Sequence, residues 1–166
     1  MAALDTVPDG SNILIDTNIF IYALTNKSAQ CKNFLSRCSR EQVSGITLFE
    51  VLHEATNIFM RGEAIDKGLA TKAQVTAYLQ AHPDDVKKLT DYWINTKKVL
   101  ALNLVLLPME EKIVIGAHAE RVAAGLLTID SVIVSAMREY AISHIATNDR
   151  MFNAVNGISV FSPTDI

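Results

Sequence analysis

The stretch that most constrains this chain is Ile13-Leu14-Ile15-Asp16-Thr17-Asn18. Three apolar residues in a row suit a strand buried on both faces, the condition of a central strand in a parallel sheet. The run breaks at once to a carboxylate with two small polar residues behind it. In an open α/β sheet, ligands sit in the crevice beyond the carboxyl ends of the strands. Asp16 therefore stands where chemistry is expected if this strand is central, and the question becomes which other residues gather beside it.

Similar short apolar runs recur at 42–46, 104–107, 142–147 and 158–161, each reading as a strand. Helical patterns fill the gaps. Ser28 can cap a helix through Cys38, and Thr47 opens one running to Met60 before Gly62. A helix from Glu110 to Ala124 turns Ile113, Ala117 and Val122 inward and stops at Gly125; Thr128 caps another from Ile129 to Tyr140. Strands alternating with helices imply right-handed parallel crossovers, hence an α/β fold. Residues 1–12 read as an N-terminal tail and 13–166 as a single domain, with a helical hairpin at about 62–102 made of segments 71–81 and 84–102.

The chain has 166 residues, 49% hydrophobic and 20% charged, the balance of one folded domain with one core. A mean hydropathy of +0.21 is high for a soluble monomer and points to apolar surface covered by a partner. The formal net charge of −3 supplies no overall attraction to nucleic acid, so RNA or DNA must be met by local basic groups or a metal. Lys72, Lys87, Lys88, Lys97 and Lys98 gather in the hairpin, either as a solvated face or as a rim for phosphates. Cys31 and Cys38 lie about 10 Å apart along one helix, too far for a disulfide, and fit a reducing compartment. The longest apolar run, 99–107, is too short to span a bilayer, and residues 1–10 lack the pattern of a signal peptide. A soluble, cytoplasmic protein is expected.

This reading sets four carboxylates at equivalent places. Asp16 and Asp149 end strands; Glu50 and Asp130 sit in the first turns of helices. Strand carboxyl ends and helix amino ends share one edge of a parallel α/β sheet, so residues far apart in the chain can converge there. Four carboxylates in one cleft repel each other unless a cation lies among them. Oxygen donors without a cysteine or histidine cluster suit Mg²⁺ or Mn²⁺ rather than zinc. Each acid also has a plain structural explanation. Thr47 to Glu50 has capping-box spacing, Asp130 complements a helix dipole, Asp149 suits a turn, and Asp16 suits a cap. These do not account for a carboxylate directly after a buried strand at both Asp16 and Asp149. Glu54, on the helical stripe Glu50, His53, Glu54, Asn57, reads as either a supporting ligand or a solvated residue. The four histidines show no ligand spacing; His53 alone flanks that stripe.

Ile13-Leu14-Ile15-Asp16-Thr17-Asn18, Thr47-Leu48-Phe49-Glu50, Leu127-Thr128-Ile129-Asp130 and Ala146-Thr147-Asn148-Asp149-Arg150-Met151-Phe152 resemble, in order, the four motifs of PIN-domain ribonucleases. The resemblance is strongest to bacterial toxins of VapC type. It implies a three-layer α/β fold, a central parallel sheet of four or five strands wrapped by helices. It also implies Mg²⁺- or Mn²⁺-dependent cleavage of RNA and a homodimer neutralised by a small antitoxin protein. By position, Asp16, Glu50, Asp130 and Asp149 would be the catalytic acids, with Asp16, Asp130 and Asp149 holding the metal. Thr17, Asn18 and Thr147 would support them by hydrogen bonds, and Arg150 would meet a neighbouring phosphate. The chain departs from the family where a further acid often follows the fourth; Met151 and Asn153 stand there instead.

On that reading, a metal polarises a phosphoryl oxygen and acidifies a bound water, which Glu50 orients or deprotonates. Two other classes stay open. One is a module of the same fold that binds without catalysis in a toxin–antitoxin or RNA-processing complex. The other is an aspartate-based phosphotransferase, against which Asn18 counts, because such enzymes commonly need a second aspartate there. The seven glycines form no phosphate loop, and no serine sits in a nucleophile elbow.

Overall fold

The computed structural model describes the whole chain, Met1–Ile166. The alternating pattern folds into one sheet whose paired neighbours are all parallel. Its strands are β1 (Ala2–Ala3), β2 (Asn12–Ile15), β3 (Ser44–Leu48), β4 (Val105–Leu107), β5 (His144–Ala146) and β6 (Ser159–Ser162), in spatial order β1-β6-β5-β2-β3-β4. The sheet thus has six strands, one more than the upper expectation of five. The extra one is β1, in the segment expected as a tail: Ala2 and Ala3 pair with Phe161 and Ser162, and Leu4 behind them is fully buried. Two alanines carry no apolar run; they are recognisable as sheet only beside β6.

β2 is central, as its apolar run requires. Ile13, Leu14 and Ile15 expose no surface, with β3 on one side and β5 on the other. From β2 the strand order runs outward in both directions, which makes the β2/β5 boundary the topological switch point.

Eight helices connect these strands: α1 (Thr17–Leu24), α2 (Ala29–Ser39), α3 (Phe49–Asp66), α4 (Val75–Ala81), α5 (Pro83–Val86), α6 (Asp91–Leu100), α7 (Glu111–Ala124) and α8 (Thr128–Glu139). Ser28 caps α2, accepting the Cys31 amide at 2.9 Å. Thr47 does not open α3. It is buried in β3, its hydroxyl donating to the Ile15 carbonyl at 3.0 Å, and no side chain caps α3, so the capping box with Glu50 does not form. Thr128 likewise is the first residue of α8 and not its cap. In α7, Ile113 and Ala117 are buried but Val122 is 75% exposed. Five residues beyond Ala117 lies about 140° round the helix, on the solvent side.

The expected 62–102 hairpin resolves into three short helices: α3 continues through Gly62 to Asp66, and the expected 84–102 segment divides into α5 and α6. α6 lies against α3 and is fastened by a buried carboxylate. Glu63 of α3 accepts the Thr90 and Tyr92 amides at the amino end of α6, at 2.8 and 2.9 Å, and pairs with Lys67. Burial alone would raise the Glu63 carboxyl, but the bonds from Lys67 and from the Tyr92 and Thr90 amides outweigh it and hold the pKa at about 2. No helix is long and apolar enough to cross a membrane, and Cys31 and Cys38 are buried free thiols.

Candidate active site

β2 ends at Ile15 and β5 at Ala146, side by side, so Asp16 and Thr147-Asn148-Asp149 emerge together at the switch point. α1 starts at once with Thr17 and Asn18. α3 contributes Glu54 from its second turn, and α8 contributes Asp130 from its first. The result is a cleft of about 280 Å³ in which Asp16, Glu54, Asp130 and Asp149 share the lining with Thr17, Asn18, Ile21, Tyr22 and Ile58.

Asp16 is only 7% exposed, and every oxygen of its carboxylate is held. Oδ1 accepts the Thr17 amide at 2.6 Å; Oδ2 accepts Asn18 Nδ2 at 2.5 Å and the Thr147 hydroxyl at 2.6 Å. Asn18 Oδ1 in turn accepts the Asn148 amide at 3.0 Å, and Thr147 Oγ1 accepts the Asp149 amide at 2.9 Å. Asn18 and Thr147 thereby stitch the end of β2 to the end of β5. The Thr17 hydroxyl donates to Glu54 Oε2 at 2.5 Å and so orients the acid from α3. Asp149 also caps the 3-10 turn Arg150–Ala154, accepting the Met151 amide at 2.8 Å.

Charge is concentrated here without a compensating cation from the protein. Burial, reinforced by Glu54 and Asp130 and opposed by the Thr147 and Thr17 hydrogen bonds, pushes the Asp16 carboxyl up to about 6. Burial also raises Asp130, with Asp149 and Glu54 adding to it. Carboxylates so placed gain from any positive ion that enters.

Three of the four acids singled out in the sequence, Asp16, Asp130 and Asp149, line this cleft. Glu50 does not. It faces a neighbouring cleft with Phe49, His53, Asn57 and Ile129, and the carboxylate α3 supplies to the acidic cleft is Glu54, which borders both. Thr17, Asn18 and Thr147 take the supporting positions, while Arg150 is exposed, makes no ion pair and lies outside the lining. Ile21, Tyr22 and Ile58 were not singled out. Their signal is helical spacing, since Tyr22 lies four residues after Asn18 and Ile58 four after Glu54.

Comparison with known proteins agrees with this architecture. The family model described as PIN domain matches residues 13–158, and the chain belongs to that family. Among solved structures, it is similar to a toxin-antitoxin complex from Klebsiella pneumoniae, at 17% identity over 89% of this chain and 95% of that one, with a TM-score of 0.57. It is also similar to VapBC2 from Rickettsia felis bound to a DNA fragment from their promoter, at 15% identity over 91% and 98%, with a TM-score of 0.56. At these identities the likeness is one of fold. No curated protein matches in sequence.

Proposed function

We propose that this protein is a divalent-metal-dependent endoribonuclease, the toxin of a toxin–antitoxin pair. One observation carries the reading: four carboxylates from four separate segments share one cleft at the carboxyl edge of a parallel sheet, two of them with raised pKa values. The side chains of the chain form no ready-made cage of three or more metal donors. The fit to Mg²⁺ or Mn²⁺ lies in donor chemistry and charge, since the cleft offers hard oxygen ligands and neither thiolate nor imidazole. Asp16, Asp130 and Asp149 would hold the ion, which when bound supplies Lewis-acid polarisation of a phosphoryl oxygen and a more acidic water.

The remaining work falls to the protein. Asn18 and Thr147 fix Asp16, so its position does not depend on a mobile rotamer. Thr17 aims Glu54, which takes the role first assigned to Glu50, orienting the attacking water and accepting its proton. Ile21 and Ile58 give one wall of the cleft an apolar surface. Arg150, exposed beside Asp149, is free to meet a phosphate of the RNA. The toxin–antitoxin complexes among the fold neighbours support an antitoxin as partner, and exposed apolar side chains such as Ile115, Val122 and Leu127 offer surface for it or for a second subunit. On this reading the protein acts in the cytoplasm.

Asp16→Asn and Asp130→Asn test the proposal. Each should abolish Mn²⁺-dependent cleavage of RNA by the purified protein, and wild-type rates in both would refute it. Failure of the wild type to bind Mn²⁺ or to cut any RNA would leave the alternative, a PIN-fold binding module without catalysis.

A further inference from the structure

Behind the acidic cleft, the last strand ends on a residue that its surroundings do not call for. The last three residues of β6 (Ser159–Ser162) are buried, as suits a parallel strand covered on both faces. Val160 and Phe161 fit that setting; Ser162, 4% exposed, does not. A buried hydroxyl is costly unless it is bonded, and Ser162 Oγ donates to Asn148 Oδ1 at 3.0 Å. The residue before it holds the same turn, since the Phe161 carbonyl accepts the Thr147 amide at 3.0 Å. The end of β6 therefore grips Thr147 by its backbone and Asn148 by its side chain.

From Asn148 the bonds run inward without a gap. Its backbone N–H donates to Asn18 Oδ1 at 3.0 Å, and Asn18 Nδ2 donates to Asp16 Oδ2 at 2.5 Å. A carboxamide has an accepting and a donating end, and the Asn148 amide decides which end of Asn18 faces the carboxylate. On the same turn, Thr147 Oγ1 accepts the Asp149 amide and donates to Asp16. Ser162 is itself fixed from both sides. Before it lies the ladder with β5; after it, Thr164 and Asp165 are fastened to the start of α2. The Thr164 amide donates to Gln30 Oε1 at 2.7 Å, while Asp165 accepts the Ser28 hydroxyl at 2.6 Å and the Gln30 amide at 3.0 Å. A hydroxyl anchored in this way holds Asn148 in one place, which a loose chain end could not do. We propose that Ser162 is a positioning residue of the acidic cleft: through Asn148 and Asn18 it sets the Asp16 carboxylate, and with it the turn that carries Asp149, for a divalent ion. The assignment rests on the ribonuclease reading and extends it to a residue outside the cleft lining.

The experiment measures ion binding and cleavage separately. Wild type, Ser162→Ala, Ser162→Val and Ser162→Thr are titrated with Mn²⁺ by calorimetry, then assayed for steady-state cleavage of a labelled RNA. Ser162→Ala should weaken Mn²⁺ binding about ten-fold, the scale of losing a partner behind a metal ligand, and lower kcat similarly with KM within about two-fold. Threonine restores the hydroxyl and should recover both; valine, of the same shape without it, should not. Asn148→Ala should reproduce the loss, and the double variant with Ser162→Ala should be no worse than either single one, because both cut the same link. Leu4→Ala, which opens the core beside β1 and touches none of these bonds, should keep wild-type Mn²⁺ affinity, and so separates positioning from general loosening. Circular dichroism melts establish folding, and if Ser162→Ala fails to fold, the threonine and valine variants carry the comparison. Wild-type affinity in Ser162→Ala, rescue by valine as complete as by threonine, losses that multiply in the double variant, or an equal loss in Leu4→Ala would overturn the assignment. A wild type that binds Mn²⁺ but cuts no RNA would overturn the ribonuclease reading, with calorimetry still deciding the role of Ser162; one that binds no Mn²⁺ would overturn both.

Discussion

Asp16 shows the conflict that a single residue can carry. Its folded pKa of about 6 lies above the ordinary 3.8, so the native state holds a proton that the unfolded chain has already lost. Stability from this residue is therefore present below pH 4 and falls as pH rises through 6, leaving the ionised form to cost roughly 3 kcal/mol at pH 7. Asp16→Asn should raise the melting temperature at pH 7 by several degrees, with the gain vanishing below pH 4. An amide group facing the Thr17, Asn18 and Thr147 donors will offset part of it. Differential scanning fluorimetry from about pH 3 to 8, spanning the ordinary and the raised pKa, checks both the size and the sign. Mn²⁺ at pH 7 should stabilise the wild type and leave Asp16→Asn unmoved. Glu54→Gln should lower Mn²⁺-dependent cleavage by about 100-fold or more, the usual share of a positioned proton acceptor. Asp16 and Asp149 were legible in the sequence because an abrupt end to an apolar run says where a side chain must emerge. The choice between Glu50 and Glu54 was not. Both sit on one polar stripe, and which of them meets Asp16 depends on how α3 leaves β3, a matter of tertiary geometry.

Among the elements, the α3–α6 pair depends on a carboxylate that caps a helix other than its own. Glu63 is 6% exposed and satisfies amides that the start of α6 would otherwise leave unpaired. Its pKa is depressed from 4.5 to about 2, so its contribution is complete above pH 4.5 and is lost as pH falls toward 2. The shift corresponds to roughly 3 kcal/mol. Glu63→Gln should cost about 2–3 kcal/mol at pH 7 in urea denaturation and much less at pH 2.5. The helices themselves were readable from their apolar spacing, but this fastening was not. Nothing local tells a glutamate in the last turn of α3 that its partners lie 27 and 29 residues away. Gly62 misled for a different reason: a glycine suggests a break, yet in a helix interior it costs only about 1 kcal/mol, and α3 runs through it to Asp66.

Across the whole molecule, the parallel sheet with its strands in alternation was legible because burial on both faces leaves a continuous apolar run. β1 was not, since its two alanines borrow their structure from β6. Leu4, with no exposed surface, ties that strand to the core. Leu4→Ala should cost about 2–4 kcal/mol in chemical denaturation, as for other buried leucines; a cost near zero would mean the first residues are a loose tail after all. The pairing of β2 with β5 has a different kind of consequence. It joins Ile13 to His144 and Leu14 to Ile145, so the two middle strands meet only after the chain as far as β5 has left the ribosome. A nascent or prematurely terminated product has Asp16 but no Asp149, and therefore only part of the acidic cleft. On the proposed ribonuclease reading, such a chain cannot cut RNA until both halves of that cleft have been translated and paired.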